Sequence, residues 1–572
     1  MKKKVQKLSG WLLGTGILAV AGLMNGCGAS SGMATETTTD TVCTSGNADA
    51  GGYETEAAYE AGDMAASETM AAGDMENEWN VAGAPGNDAG KSSAAMAGKY
   101  RQAYEPENFN TEEYSYISEN GYKSVMEDPL STFSVDVDTA SYGNIRRMIR
   151  AGGSIPADAV RIEELINYFD YDYPQPKDGE PFAVTTEYGD CPWNEEHRLL
   201  MIGLQAKDID FEDRPASNFV FLLDVSGSMY ADDKLPLVQK AFAMLAENLT
   251  ANDRVSIVTY AGYESVVLDG VSGSEKAKIV AALEDLEAGG STAGEAGIQK
   301  AYALAEKNFI PGGNNRVILA TDGDLNVGIS SESGLTRLIK EKKKSGVHLS
   351  VLGVGTGNIK DNKMEAMADN GDGNYNYLDS LYEAKKVLVD EMGGTLITVA
   401  KDVKIQVEFN PQYVSGYRLV GYENRLLRNE DFHNDKVDAG EIGAGHTVTA
   451  LYEIIPGEGG GQTLKYQQAG EPVGSTELLT VSLRYKAPNG DTSKLMEHPV
   501  EADSYHQEMS DNLQFASAVA EFGMVLRDSE NKGKASLEHE MELAEPCVKA
   551  DSDGYRKEFL QLVQQAEELG IR

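Results

Sequence analysis

The sequence predicts an α/β chain. A doubly wound, mostly parallel sheet is expected over 217–399, between a small α+β N-terminal region and a β-rich C-terminal domain with terminal helices. Three observations carry this. Phe219-Val220-Phe221-Leu222-Leu223 is an unbroken apolar run, the pattern of a strand buried on both faces of a parallel sheet. Strand-like and helix-like segments then alternate as far as about residue 395. Beyond residue 400, β-type segments are separated by connectors such as Pro456-Gly457-Glu458-Gly459-Gly460-Gly461, which reads as a sandwich-like unit.

In chain order, 132–138 alternates as a strand, and 142–150 and 157–168 read as helices, with Pro156 suited to a helix start. Strands at 182–188 and 198–204 complete the first region. The strand 219–223 is followed by an amphipathic helix, 235–249, with Pro236 tolerated in its first turn. Strands 255–260 and 265–268, helices 275–286 and 294–308, and strand 317–321 come next. Helix 335–344, strand 349–354, helix 363–368, strand 375–378 and helix 381–395 end the alternation. Strands 403–409, 417–420, 447–455 and 478–485 and helices 512–526 and 555–569 finish the chain.

The first thirty residues read as an address. Lys2, Lys3, Lys4 and Lys7 precede an apolar run, 11–24, that three glycines interrupt and that is shorter than the ~20 residues of a membrane span. The run ends Met24-Asn25-Gly26-Cys27, which resembles a bacterial lipobox. That resemblance implies cleavage before Cys27 and diacylglycerol on its thiol; an ordinary signal peptide with a chance cysteine is the alternative. The expected location is outside the cytoplasm, anchored by lipid to the cell membrane. Between 28 and 98, Lys91 is the only basic residue among many Asp and Glu, and aliphatic residues are sparse. Burial cannot offset chain entropy there, so an acidic, disordered tether is expected. The segments are therefore 1–26 signal peptide, 27–100 tether, 101–216 N-terminal flank, 217–399 α/β domain and 400–572 C-terminal flank.

The 572 residues carry a formal charge of −41, and 41% are hydrophobic. So acidic a surface repels phosphate backbones, and no nucleic-acid partner is expected. Four cysteines without a C-x-x-C pair give no zinc site. Cys191 and Cys547 could pair across the flanks, but nothing in the sequence establishes it.

The chemistry concentrates in loops at the carboxyl ends of strands, where ligands bind in open α/β sheets. The loop after 219–223 reads Asp224-Val225-Ser226-Gly227-Ser228-Met229; Gly289-Gly290-Ser291-Thr292 precedes a helix; and the strand 317–321 ends in Asp322-Gly323-Asp324. Five hard oxygen donors with few negative charges suit Mg2+, which keeps waters and an open position. The residues after Asp322 imitate a calcium loop, but Val327 and Ser333 stand where glycine and glutamate are required. Asp136 and Asp138, at i and i+2, read as a structural pair rather than an acid/base dyad.

Over 218–399 the chain resembles the von Willebrand factor A domain. In that family the metal ion-dependent adhesion site is D-x-S-x-S, a downstream Thr and an Asp after the fourth strand. The resemblance implies Asp224, Ser226, Ser228, Thr292 and Asp322 as metal ligands. Mg2+ is the expected ion, with Mn2+ or Ca2+ as alternatives, and a carboxylate of a protein partner completes its coordination. The flanks look like those of a set of bacterial lipoproteins built around such a domain. They do so through Phe133-Ser134-Val135-Asp136-Val137-Asp138, Cys191-Pro192-Trp193-Asn194, Phe515-Ala516-Ser517-Ala518 and Gly554-Tyr555-Arg556-Lys557-Glu558-Phe559. The expected function is a membrane-anchored, surface-exposed binding or adhesion module. The alternative is a structural or assembly protein of the cell envelope whose metal only stabilises the domain. With no H-E-x-x-H and no histidine near the metal loops, no enzyme is expected.

Overall fold

A computed structural model describes residues 110–571, apart from 178, 210–213, 292–293, 324–330, 392–396, 458–474, 489 and 552. The signal segment, Cys27 and the tether lie outside the described residues. So does Thr292.

The apolar run belongs to β5 (Ser217–Asp224), which is buried along its whole length. It lies near the centre of a six-stranded sheet. On one side it pairs in parallel with β8 (Asn314–Thr321), followed by β9 (His348–Val354) and β10 (Tyr375–Leu378). On the other it pairs in parallel with β6 (Arg254–Tyr260), which pairs antiparallel with the edge strand β7 (Glu264–Ser272). Strand pleat sends alternate side chains to opposite faces. Phe219, Phe221 and Leu223 therefore join a core with Val238, Phe242 and Leu245 of α3 (Leu235–Glu247). Val220 and Leu222 meet Ile298, Tyr302 and Ala305 of α5 (Gly294–Lys307). Both faces are covered, as the doubly wound reading expects.

The flanks differ from the sequence reading. Residues 101–216 and 400–572, divided there into separate domains, share two sheets. In the first, β4 (Arg198–Ala206) pairs with β14 (Thr447–Pro456), and β1 (Lys123–Ser124) with β12 (Val414–Val420). In the second, β2 (Leu130–Ser134) pairs with β11 (Thr398–Phe409), which also pairs with β15 (Glu477–Lys486). The two sheets face each other across one core that includes Ile202, Tyr452, Ile405 and Val481. The outer face of the first sheet, through Leu199, Met201 and Leu451, packs on helices from both ends of the chain. These are α1 (Ala140–Arg150), α2 (Ile162–Ile166) and the C-terminal helices Asp511–Arg527, Leu537–Ala544 and Tyr555–Glu568. Apolar alternation marks each strand as half-buried; it carries no information about a partner some 250 residues away.

Two smaller departures have local causes. The helix expected over 157–168 is broken before α2. The Ser141 hydroxyl donates to the Ala159 carbonyl and accepts the Arg161 N–H, taking backbone groups a continuous helix would use itself. Cys191 and Cys547 are both buried free thiols. Asp136 and Asp138 are buried and both are ion-paired with Arg425 at 3.0 Å, in keeping with a structural role.

The helical layer also holds a pH-sensitive group. Burial pushes the Glu521 carboxyl up to about 7, against the nearby His539 at 3.0 Å. A raised carboxyl binds its proton more tightly in the folded state. Its contribution is therefore full below the ordinary value of 4.5 and is lost as pH rises towards about 7. Glu521→Gln should accordingly gain stability relative to wild type between pH 4.5 and 7. Denaturant midpoints across that range check this; parallel curves for the two proteins would contradict it.

Candidate functional site

Three strand ends converge at the carboxyl edge of the central sheet. Asp224 closes β5 and is fully buried. Its Oδ1 accepts the Ser226 main-chain N–H at 2.9 Å, and its Oδ2 accepts the Thr321 hydroxyl at 2.9 Å and the Tyr260 hydroxyl at 3.3 Å. The carboxylate is thus clamped by the ends of β8 and β6. The Ser226 and Ser228 hydroxyls lie 3.0 Å apart, with Ser226 buried and Ser228 open to solvent. Asp322, the first residue after β8, is fully buried.

The neighbouring loop is fixed by main-chain bonds. Gly289 N–H donates to the Val225 carbonyl at 2.7 Å, and Gly227 N–H donates to the Gly290 carbonyl at 3.0 Å. Gly290 has φ +90°, and a Cβ there would meet the Gly262 nitrogen at 3.3 Å, so a glycine is required. The structure therefore brings Asp224, Ser226, Ser228 and Asp322 together and sets the Gly289-Gly290 loop against them. Thr292, two residues further on, lies outside the described residues.

The two carboxylates are held differently. Burial, with Asp322 as the next cause, pushes Asp224 up to about 6, against the bonds from Ser226 and Thr321. For Asp322 burial acts in the same direction but is outweighed by Lys234, Asn358 and Ser228, which hold its carboxyl below the ordinary value. Lys234 Nζ donates to Asp322 Oδ2 at 3.1 Å and to Asn358 Oδ1 at 2.9 Å; Asn358 Nδ2 donates to Asp322 Oδ2 at 2.9 Å. The lysine stem crosses Gly355, where a Cβ would fall 2.2 Å from Lys234 Cε.

The donor set suits a small divalent cation: carboxylates and hydroxyls, no thiolate or imidazole, and one carboxylate partly neutralised. Among the described residues no cluster of three or more His, Cys, Asp or Glu side chains could hold a metal.

Sequence reasoning missed Lys234, Asn358, Tyr260 and Thr321. Thr321 and Tyr260 sit at strand ends, where position alone could have suggested them. Lys234 and Asn358 carry no such signal.

Comparison with known proteins gives three family matches. The profile described as von Willebrand factor type A domain matches 218–391, that described as von Willebrand factor matches 108–201, and that described as uncharacterized protein YfbK, C-terminal, matches 394–569. The uncharacterized protein YfbK of Escherichia coli is 44% identical over 473 residues, covering 80% of this chain and 82% of its own length. An uncharacterized protein of Synechocystis is 30% identical over 192 residues, 33% of this chain and 43% of that one. A von Willebrand factor type A structure from Catenulispora acidiphila shares 17% identity at a TM-score of 0.38, covering 68% of this chain and 91% of that one.

Proposed function

The chain belongs to the family of the Escherichia coli protein YfbK and carries a von Willebrand factor type A domain, a general protein-interaction and adhesion module. From that premise we propose that it is a membrane-anchored, surface-exposed binding module, tethered through lipid on Cys27. In this reading a divalent metal at Asp224, Ser226, Ser228, Thr292 and Asp322 engages a carboxylate of a protein partner. The observation that carries it is the convergence of Asp224, the two serine hydroxyls and Asp322 at one sheet edge.

Ser226 and Ser228 would offer neutral oxygens to Mg2+, while Asp224 and Asp322 supply negative charge from behind them. When bound, the metal supplies an open, Lewis-acidic position. Thr321, Tyr260 and the Ser226 N–H keep the Asp224 carboxylate in one orientation. Tyr230 and Tyr263 are 83% and 77% exposed on the adjoining loops and give a partner aromatic surface beside the site.

Lys234 tunes this site. Its ammonium offsets much of the Asp322 charge, so Lys234→Met should strengthen Mn2+ binding roughly tenfold, as the loss of one nearby positive charge predicts. Calorimetry on the full chain measures this; unchanged or weaker binding would contradict it.

A second reading, an assembly protein of the cell envelope, is favoured by the buried ion pairs that join the A domain to its flanks, such as Arg161–Asp361 at 2.7 Å. Crosslinking on intact cells separates the two. Partner capture abolished by chelator and by Asp322→Ala supports metal-dependent binding; capture insensitive to both supports assembly.

A further inference from the structure

A strap of three residues, 111–113, is laid along the loop that leaves β9. Thr111 N–H donates to the Gly357 carbonyl at 2.8 Å, Glu113 N–H to the Ile359 carbonyl at 2.9 Å, and Asp361 N–H to the Glu113 carbonyl at 3.1 Å. Glu113 stands opposite Lys360 in a parallel bridge, so these bonds form a short parallel ladder. Side chains reinforce it. Lys360 Nζ donates to the Thr111 carbonyl at 2.6 Å and to Glu113 at 2.7 Å. The Glu112 side chain, 5% exposed, accepts the Gly357 N–H at 2.8 Å and a bidentate pair of bonds from Arg147 of α1 at 3.1 Å each. One carboxylate thus ties the loop to the N-terminal flank.

The strapped loop also reaches the strand-end site. Asn358 lies between Gly357 and Ile359, and its amide is the common partner of Asp322 and Lys234. Its Nδ2 donates to Asp322 Oδ2 at 2.9 Å, and its Oδ1 accepts Lys234 Nζ at 2.9 Å. Lys234 Nζ donates to the same Asp322 oxygen at 3.1 Å. The main chains touch as well: a Cβ at Gly323 would stand 2.8 Å from the Lys360 nitrogen. While the loop is held in place, two donors, one of them charged, therefore occupy one oxygen of Asp322. Filled lone pairs and a neutralising ammonium both compete with a cation for that carboxylate.

We propose that residues 111–113 are an autoinhibitory clamp on the metal site, an inference that rests on the reading of that site given above. Held, the strap keeps Asn358 on Asp322 and Lys234 steadied beside it, and metal affinity stays low. Released, the loop withdraws Asn358, which frees an acceptor position on Asp322 and leaves Lys234 without the amide that fixes it there. The chain ahead of residue 111 joins the folded body through this strap, so tension on that chain acts on these bonds.

The test combines Mn2+ calorimetry and metal-free amide hydrogen exchange on the full chain. Glu112→Ala should raise Mn2+ affinity roughly threefold or more. Glu112→Gln, which keeps an acceptor for the Gly357 N–H, should stay within about twofold of wild type. In an Asn358→Ala background Glu112→Ala should add nothing, because the clamp acts through that amide. Exchange in Glu112→Ala should quicken over 357–361 and at Gly323. Unchanged or weaker Mn2+ binding by Glu112→Ala, or an equal gain with Asn358 already removed, overturns the clamp. So does faster exchange in the loop that leaves Gly323 as in wild type. Absence of Mn2+ binding in wild type and variants alike overturns the metal reading and the clamp with it, a result distinct from binding that Glu112→Ala leaves unchanged. Should Glu112→Ala fail to fold, Thr111→Pro, which removes one main-chain donor at an exposed position, is held to the same outcomes.

Discussion

Replacing Asp224 and Ser226 together by alanine should abolish saturable Mg2+ or Mn2+ binding by the full chain, a loss of at least a hundredfold. Asp224 is the fixed point of the site, fully buried and hydrogen-bonded from three directions. Ser226 supplies the buried one of the two adjacent hydroxyls. Removing both takes away one of two carboxylates and one of two paired hydroxyls. The change also leaves Thr321 and Tyr260 hydroxyls without their acceptor, at a cost of about 1–3 kcal/mol. It relieves a carboxyl that burial disfavours in its ionised form, so the fold should survive. Calorimetry reads the loss and circular dichroism checks the fold; equal binding by wild type and the double variant would sink the assignment.

The second large effect is on stability. Arg146, on α1, is fully buried and joins the N-terminal flank to the A domain. Its Nη2 pairs with Asp379 and Glu383 at 2.6 Å each, its Nε donates to Asp379 at 2.7 Å, and its Nη1 donates to the Tyr168 hydroxyl at 2.9 Å. Arg146→Met keeps much of the apolar stem but leaves buried Glu383 without this cation and Asp379 with Arg150 at 3.7 Å. Breaking a buried pair in this way costs about 3–5 kcal/mol. The close approach of α1 to the sheet edge leaves little room for repacking: a Cβ at Gly143 would stand 2.7 Å from the Tyr377 carbonyl oxygen. Chemical denaturation should show the A domain unfolding at lower denaturant than in wild type. A change below about 1 kcal/mol would mean that the network contributes little.

What the sequence showed and what it concealed follow from the same physics. β5 and β8 are buried on both faces, so their runs of apolar residues were legible without context. The missed strands are edges or fragments. Lys123–Ser124 is two exposed residues, Gly440–Gly443 is short and glycine-bounded, and Lys494–Glu501 is mostly exposed and charged. Edge strands carry polar residues against aggregation, and that hides them from a hydrophobic reading. The helix Leu537–Ala544, rich in glutamate, was concealed similarly. The joining of the two flanks was not legible because pairing such as Leu451 with Met201 links residues some 250 positions apart.

At the site, Asp224, Ser226, Ser228 and Asp322 were readable because strand-end loops in a parallel sheet must meet at one edge. Lys234 and Asn358 were not, since each reaches Asp322 from a segment whose pattern has nothing to distinguish it.

The central claim is that the site holds a divalent metal with a position open to a carboxylate. Water-proton relaxation of the full chain loaded with one equivalent of Mn2+ tests it most directly. A relaxation enhancement from exchangeable water on bound Mn2+, falling as acetate is added and absent in the Asp224→Ala/Ser226→Ala variant, is the predicted result. No enhancement in wild type, or an enhancement that acetate leaves unchanged, would contradict it.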